Sequence, residues 1–250
     1  MLTLARFAAA MSLAVSLSPN SGVAETITSA RYTDPTTRYD HGILGDAVEW
    51  GALEVTLDNA TKRRFILPDT LVFEDTSPRL ADLDQDGSPE VIVVESSLTR
   101  GARLVIYGPS GRLAQTDHIG RKNRWLAPVG AADFTGDGRL EIAMVVTPHL
   151  AGRVELLAYD GTNLKLIAAT TGFTNHRIGD QLIAGGIRNS SGDTSTTWMP
   201  SNRHSNLHRE CTVRPKRRSP TMAIRSWSIP RPRPASSFLM VYRSSSAWVG

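Results

Sequence analysis

The chain has 250 residues, with 28 lysines and arginines against 24 aspartates and glutamates and a formal net charge of +4. Its one cysteine, Cys211, has no partner, which excludes a scaffold held together by internal disulfides. No segment after residue 24 approaches membrane-spanning length, which excludes a bundle of transmembrane helices.

The first 24 residues have the pattern of a targeting segment. Arg6 precedes an apolar run over residues 7–17, and a stretch of small residues ends at Ala24. This pattern predicts a secretory signal peptide over residues 1–24, with an uncleaved anchor as the alternative. We therefore expect a periplasmic or secreted protein that has no membrane span after signal cleavage.

Residues 25–49 are polar and fit none of the repeats that follow them. We expect them to form an N-terminal lead-in that crosses or closes an array of sheets. Asp40 and His41 are neighbours in this segment. Adjacent residues of a strand point to opposite faces, so the sequence does not favour an acid–base pair here.

An acidic stretch follows, in which Asp82, Asp84 and Asp86 alternate before Gly87, and Glu90 precedes an apolar run. In an extended segment alternate residues point the same way, so the three aspartates converge. Each like-charged pair at ~4 Å costs about 1 kcal/mol even in water. A hard cation with oxygen ligands removes this repulsion, and calcium is the usual choice. A solvated acidic turn is the alternative.

The acidic pattern recurs 51 residues later, at Asp133, Asp137, Gly138 and Glu141. Between and after the two copies the sequence alternates short apolar runs with polar turns. A constant repeat of this size indicates a β-propeller or another repeat array. Four short strands in about 50 residues correspond to one propeller blade.

The sequence therefore predicts an all-β fold, an incomplete β-propeller-like array of four-stranded blades with a disordered C-terminal tail. The repeats are expected over residues 50–189, as a partial blade, two full blades and the start of a third. After the two strands of the partial blade, the predicted strands are 71–74, 91–94, 103–107, 113–116, 142–146, 154–159 and 165–168. The runs at 91–94 and 142–146 do not alternate, which favours strands buried on both faces.

The acidic loops are not EF-hands, because strands follow them and their twelfth positions are Val93 and Met144. Over about residues 50–189 the chain resembles the FG-GAP/VCBS-type repeats of integrin-alpha-like β-propellers. The resemblance implies that each loop joins the first two strands of a blade and holds Ca²⁺. In the first loop it implies ligands from the side chains of Asp82, Asp84, Asp86 and Glu90 and from the carbonyl of Ser88. In the second loop it implies Asp133, Thr135, Asp137, Glu141 and the carbonyl of Arg139, with Thr135 weakening the site by one charge.

Composition changes abruptly after Asn189. Residues 190–250 carry 10 of the 28 basic residues and 2 of the 24 acidic ones, so the high isoelectric point belongs to this segment. We weigh three interpretations of this basic, low-order tail: an out-of-frame stretch, a natural disordered extension, and a basic functional domain. We expect no nucleic-acid partner, because an exported protein has no obvious nucleic-acid target.

For function, the sequence favours an exported, non-catalytic calcium-binding repeat protein that serves as a structural module or binds a protein or carbohydrate ligand. The alternative is a periplasmic enzyme with its site at the propeller mouth. For that alternative the candidate residues are Asp40, His41 and His176, whereas His118 and His149 show no catalytic spacing. Blades of this kind serve many functions, so the resemblance alone does not choose between the two.

Overall fold

The computed structural model describes residues 25–189, 237–240 and 242–243. The predicted signal peptide and most of the predicted tail lie outside these residues. Within them every strand pairing is antiparallel, and no helix is present that could cross a membrane. The strands of the N-terminal part are β1 (Ile27–Thr36), β2 (Glu49–Leu57), β3 (Lys62–Ile66), β4 (Leu71–Phe73), β5 (Arg79–Ala81), β6 (Glu90–Ser97), β7 (Gly101–Gly108) and β8 (Gly111–Gln115).

The second part continues the all-β pattern. Its strands are β9 (Leu126–Ala132), β10 (Glu141–Val146), β11 (Arg153–Tyr159), β12 (Leu164–Thr170), β13 (Phe173–Thr174), β14 (Gly186–Asn189), β15 (Ser237–Met240) and β16 (Tyr242–Arg243). One sheet has the order β1-β2-β4-β6-β7-β8, with β3 paired to β2 and β5 paired to β6. A second sheet has the order β12-β11-β10-β9.

The strands group into three stacked layers. We call β1–β3 the N-terminal layer, β4–β8 blade one and β9–β12 blade two. Every residue of β6 is buried, which confirms the prediction of a strand covered on both faces. Val91 and Val93 pack in a core cluster with residues of the N-terminal layer such as Leu53. Ile92 and Val94 pack in the cluster that joins blade one to blade two.

Strand β10 occupies the same position in blade two. Ile142 and Met144 belong to the cluster between the blades. Ala143 and Val145, on the other face, belong to a smaller cluster that also contains the partly buried Phe134. Stacked antiparallel blades of this kind form a partial β-propeller-like fold, as the sequence predicts.

Part of the lead-in forms the edge strand of the first sheet, since β1 pairs along β2 from Ile27 opposite Leu57 to Thr36 opposite Glu49. That the lead-in closes the array stays a prediction. The inner strand of blade one, predicted at 71–74 only, consists in the structure of β4, which matches that range, and of β5 at Arg79–Ala81, which was not predicted; both pieces pair with β6. A bridge between Trp50 and Phe73 then joins β2 to β4, so the N-terminal layer and blade one share one sheet.

Two short segments of the predicted tail lie in strands within the described residues. Strand β15 pairs with β14, and β16 pairs with β13. The remainder of residues 190–250 lies outside the described part of the chain, and the out-of-frame interpretation stays a hypothesis.

Candidate metal-binding loops

Both acidic stretches are loops between the first two strands of a blade. Acidic loop one, residues 82–89, joins β5 to β6, and acidic loop two, residues 133–140, joins β9 to β10. Ala81 pairs with Glu90 at the base of the first loop, and Ala132 pairs with Glu141 at the base of the second. Strand pairing therefore places the glutamate beside the leading aspartate in both loops.

In acidic loop one, carboxylate oxygens of Asp82, Asp84 and Glu90 lie within 4.8 Å of one another. The backbone holds two of these groups: the Gly87 N–H donates to Asp82 Oδ2 at 3.0 Å, and the Leu83 N–H donates to Glu90 Oε2 at 2.8 Å. The other oxygen of Asp82, Oδ1, is buried and has no hydrogen-bond partner among the described residues. Three convergent carboxylates with one buried oxygen left unpaired fit a hard cation such as Ca²⁺.

Asp86 and Ser88, which the sequence also proposes as ligands, take other positions. Asp86 is not among the residues whose carboxylate oxygens lie within 4.8 Å of one another. Its Oδ1 instead accepts a hydrogen bond from the Ser88 N–H at 2.7 Å. Gly87 has a φ of 91° and the neighbouring Gln85 a φ of 63°. The side chain of Asp86 thus supports the turn, and its role as a ligand and that of the Ser88 carbonyl stay predictions.

The charges of acidic loop one affect groups around it. Burial raises the pKa of Glu90 to about 7, and the nearby charges of Asp84 and Asp86 act in the same direction. Burial also raises the pKa of Tyr159, in β11 of blade two, to about 12, and the charges of Glu90 and Asp84 add to that effect. Acidic loop one therefore faces blade two as well as its own blade.

Acidic loop two groups Asp133, Asp137 and Glu141 within 4.8 Å. Its third carboxylate, Asp137, corresponds to Asp86, because Thr135 stands where Asp84 would be. The Thr135 hydroxyl donates to Glu141 Oε1 at 3.0 Å. Burial raises the pKa of Glu141, and the charge of Asp137 contributes to the shift.

The oxygens of Asp133 are more fully bonded than those of Asp82. Oδ1 accepts from the N–H groups of Gly136 and Asp137 at 2.6 and 3.2 Å, and Oδ2 accepts from the Gly138 N–H at 3.0 Å. The Arg139 N–H donates to Asp137 Oδ1 at 2.8 Å, while ligation by the Arg139 carbonyl stays a prediction. Acidic loop two therefore satisfies more of its own carboxylate oxygens than acidic loop one does.

One contact between the loops was not foreseen from the sequence. The side chain of Gln85 donates from Nε2 to the carbonyl of Gly138 at 2.7 Å, which joins the tip of acidic loop one to acidic loop two. The residues are 53 positions apart in the chain. No spacing rule predicts this pair, because it depends on how the two blades stack.

The three residues proposed for the enzymatic alternative, Asp40, His41 and His176, each contact different partners. Asp40 forms an ion pair with Lys122 at 3.1 Å, and both side chains are at least half exposed. His41 instead bonds through Nδ1 to Glu74, a fully buried carboxylate that also accepts a hydrogen bond from the Ser96 hydroxyl. Asp40 and His41 thus do not form a pair with each other, in agreement with the sequence analysis.

His176 bonds to His149, which the sequence analysis set aside. His149 Nε2 lies 2.9 Å from His176 Nδ1, and His176 Nε2 lies 2.8 Å from the carbonyl of Asp180. Both imidazoles pack against the buried ring of Trp125, whose Nε1 donates to the carbonyl of Glu74 at 2.8 Å. Burial lowers the pKa of His149 to about 4, with further lowering from His176 and His41.

We call His41, Glu74, Trp125, His149 and His176 the histidine cluster. It lies at the end of the blades opposite the acidic loops: β6 and β10 begin at those loops, whereas Ser96 lies near the far end of β6 and His149 follows the far end of β10. The sequence analysis names His41 and His176 as candidates, but it gives no signal that they cluster with Glu74, Trp125 and His149, since the members are widely separated in the chain.

Stacked antiparallel blades with an acidic loop between their first two strands define an all-β repeat module of the propeller type. Comparison with known families agrees: residues 72–144 match the family model of the FG-GAP-like repeat. The matched segment contains both acidic loops. No curated protein and no solved structure matches the chain.

Proposed function

We propose that this chain is an exported, non-catalytic calcium-binding module, in which cations held by the two acidic loops stabilise the blades. Two observations carry the proposal: carboxylate oxygens of Asp82, Asp84 and Glu90 lie within 4.8 Å of one another, and Asp82 Oδ1 is buried without a hydrogen-bond partner among the described residues. Without a cation, three carboxylates at this separation repel one another, and the repulsion grows with burial. Oxygen-only ligands on a turn favour a hard cation such as calcium over softer metals.

Contacts within the chain position the carboxylates that are proposed to bind the cation. The Leu83 and Gly87 N–H groups orient Glu90 and Asp82, and the buried side chain of Leu83 fixes the loop against the core between the blades. Calcium, when bound, supplies the positive charge that offsets the clustered carboxylates. The proposed role is therefore to hold the entry to β6 and β10 in its folded geometry.

Export and partner binding are further parts of the proposal. The targeting pattern of residues 1–24 supports export, and FG-GAP-like repeats occur in extracellular and periplasmic proteins. Extracellular calcium modules have dissociation constants of roughly 10⁻⁴–10⁻³ M, which modest loops of this kind can reach. A protein or a carbohydrate is the proposed ligand class, bound by the blades as a rigid, calcium-supported surface.

Isothermal titration calorimetry of the protein with CaCl₂ tests the proposal. We expect saturable heat with a dissociation constant in the sub-millimolar to millimolar range, and loss of the tighter site in Asp82→Asn. Asp117→Asn is the matched control, since Asp117 is an exposed aspartate outside both loops. Absence of calcium heat in the unmodified protein, or equal heat in Asp82→Asn, would overturn the proposal.

The histidine cluster favours a second candidate function, an enzyme with its site at the end opposite the acidic loops. There His41 is held by the buried carboxylate of Glu74, and His149 is held by His176. A screen with chromogenic esters, phosphate monoesters and glycosides is the test, with His41→Gln and His149→Gln as the comparison. Turnover lost in both variants supports an enzyme; turnover unchanged by them, or none at all, removes this candidate.

A further inference from the structure

The contact between Gln85 and Gly138 links the carboxylate cluster of acidic loop one to that of acidic loop two through few atoms. Gln85 lies between Asp84 and Asp86 in the chain, and Asp84 is one of the grouped carboxylates of acidic loop one. Its side chain donates to the Gly138 carbonyl at 2.7 Å, while the Gly138 N–H donates to Asp133 Oδ2 at 3.0 Å. The carbonyl of Gly138 therefore contacts acidic loop one. The N–H of the same residue contacts Asp133, one of the three clustered carboxylates of acidic loop two.

The surroundings of acidic loop one support the same link. Leu83 is only 2% exposed and packs in the core cluster shared by blades one and two. Tyr159, which belongs to blade two, also packs in that cluster and lies close enough to feel the charges of Glu90 and Asp84. A change in the position of acidic loop one must therefore be accommodated by blade two.

Building on the calcium-binding function proposed above, we propose that the two acidic loops bind calcium cooperatively and that Gln85 is the positioning residue that couples them. The contact is made while the carboxylates of both loops are grouped. A cation that holds one loop in this geometry preserves the Gln85–Gly138 hydrogen bond. The other loop then loses less conformational entropy when it binds its own cation. By linkage, each site raises the affinity of the other by the same factor.

The expected effect is modest. Couplings between sites typically change affinity by about 5-fold to 150-fold, and one hydrogen bond at an exposed turn belongs at the lower end. We therefore expect each occupied loop to raise the affinity of the other about fivefold.

A double-mutant cycle followed by calcium calorimetry on the whole chain tests this coupling. Asp133→Asn disables acidic loop two, and Gln85→Met keeps the side-chain length of Gln85 but removes its N–H donor. We expect Asp133→Asn to weaken calcium binding at acidic loop one about fivefold when Gln85 is present and to leave it unchanged in the Gln85→Met background. Gln115→Met, at an exposed glutamine of β8, is the control and should preserve the fivefold effect.

The outcomes separate this inference from the function on which it rests. Calcium binding with the same Asp133→Asn effect in both backgrounds, or with no effect in either, overturns the coupling and leaves calcium binding intact. Absence of calcium binding in the unmodified chain overturns both. Circular dichroism of each variant shows that the sheets are retained, so a loss of folding is not read as a loss of coupling.

Discussion

Acidic loops one and two occupy the same place in successive blades, yet their surroundings differ. Leu83 of acidic loop one is buried between two blades, whereas Phe134, its counterpart 51 residues later, is only partly buried in the smaller cluster on the other face of blade two. Asp82 keeps one buried oxygen without a partner, whereas both oxygens of Asp133 accept backbone hydrogen bonds. The same motif thus gives one loop supported by two blades with an unpaired oxygen, and one loop that bonds mostly to itself.

This difference teaches that the ligand residues alone do not set the strength of such a site. Their free oxygens and the packing behind the loop also matter, because a cation competes with the backbone N–H groups for the same carboxylates. We therefore expect acidic loop one to be the tighter calcium site and the more important one for stability. The predictions below test this comparison, beginning with the largest expected effect.

Truncation of the side chain that anchors each loop gives the largest contrast. Leu83→Ala removes a fully buried side chain from the core between the blades and should lower the free energy of unfolding by about 2–5 kcal/mol. Phe134→Ala removes a partly buried one and should cost roughly 1 kcal/mol. Urea unfolding followed by circular dichroism measures both. Equal losses would show that acidic loop one has no special support from blade two.

Removal of the leading aspartate should separate the loops by their calcium response. At calcium ten times the dissociation constant, a native-state ligand stabilises by about 1.4 kcal/mol, which corresponds to a rise in Tm of about 3–6 °C for a protein of this size. We expect Asp82→Asn to lose most of this rise and Asp133→Asn to keep most of it. Differential scanning fluorimetry with and without chelator measures the shift, and the reverse ranking would contradict the comparison.

The pH dependence of the calcium-free protein reports on Glu90. Its folded pKa of about 7 lies above the ordinary value of 4.5, so between these values the folded state holds a proton that the unfolded state has released. Stability in chelator should therefore fall as pH rises from about 4.5 to about 7. Calcium, which binds the ionised form, should reduce this fall. The contribution of Glu90 to this pH dependence is the part that disappears in Glu90→Gln. If stability falls just as steeply with pH in that variant, other groups are responsible for the fall.

A gain of ligand charge should strengthen acidic loop two. Thr135→Asp places a carboxylate where Asp84 stands in acidic loop one and removes the hydroxyl that now bonds Glu141 Oε1. Since ligand charge tunes calcium affinity in oxygen-ligand loops, we expect binding at acidic loop two to tighten about fivefold, or about 1 kcal/mol. Calorimetry in the Asp82→Asn background isolates this loop. Unchanged affinity would show that the backbone bonds to Asp133, and not the missing charge, limit the site.

Much of the local structure was predictable from the sequence because it is set by short-range patterns. The 51-residue repeat located both acidic loops, and the apolar runs located β6 and β10 as strands buried on both faces. The turn between β2 and β3 follows from its Asp-Asn residues, in which Asn59 Oδ1 accepts from the Thr61 N–H at 2.9 Å. These features need no knowledge of distant contacts.

The features that the sequence did not predict depend on tertiary packing, which the spacing of residues along the chain does not encode. The buried ion pair between Asp75 and Arg79 joins the segment between β4 and β5 to the first residue of β5. The pair His149–His176 and the contact Gln85–Gly138 each join different turns or blades. The sequence treated Asp84 and Asp86 alike, and only the fold shows that Asp84 joins the carboxylate group while Asp86 bonds the turn.

Terbium luminescence tests the central claim, that acidic loop one is a calcium site, most directly. Tb³⁺ replaces Ca²⁺ in oxygen-ligand sites and emits when a nearby excited tyrosine transfers energy to it, and Tyr159 packs in the same core cluster as Leu83 of this loop. We predict sensitised emission that calcium displaces, that falls in Tyr159→Phe, that is lost in Asp82→Asn and that persists in Asp133→Asn. Emission that calcium does not displace, or that survives Asp82→Asn unchanged, would contradict the account.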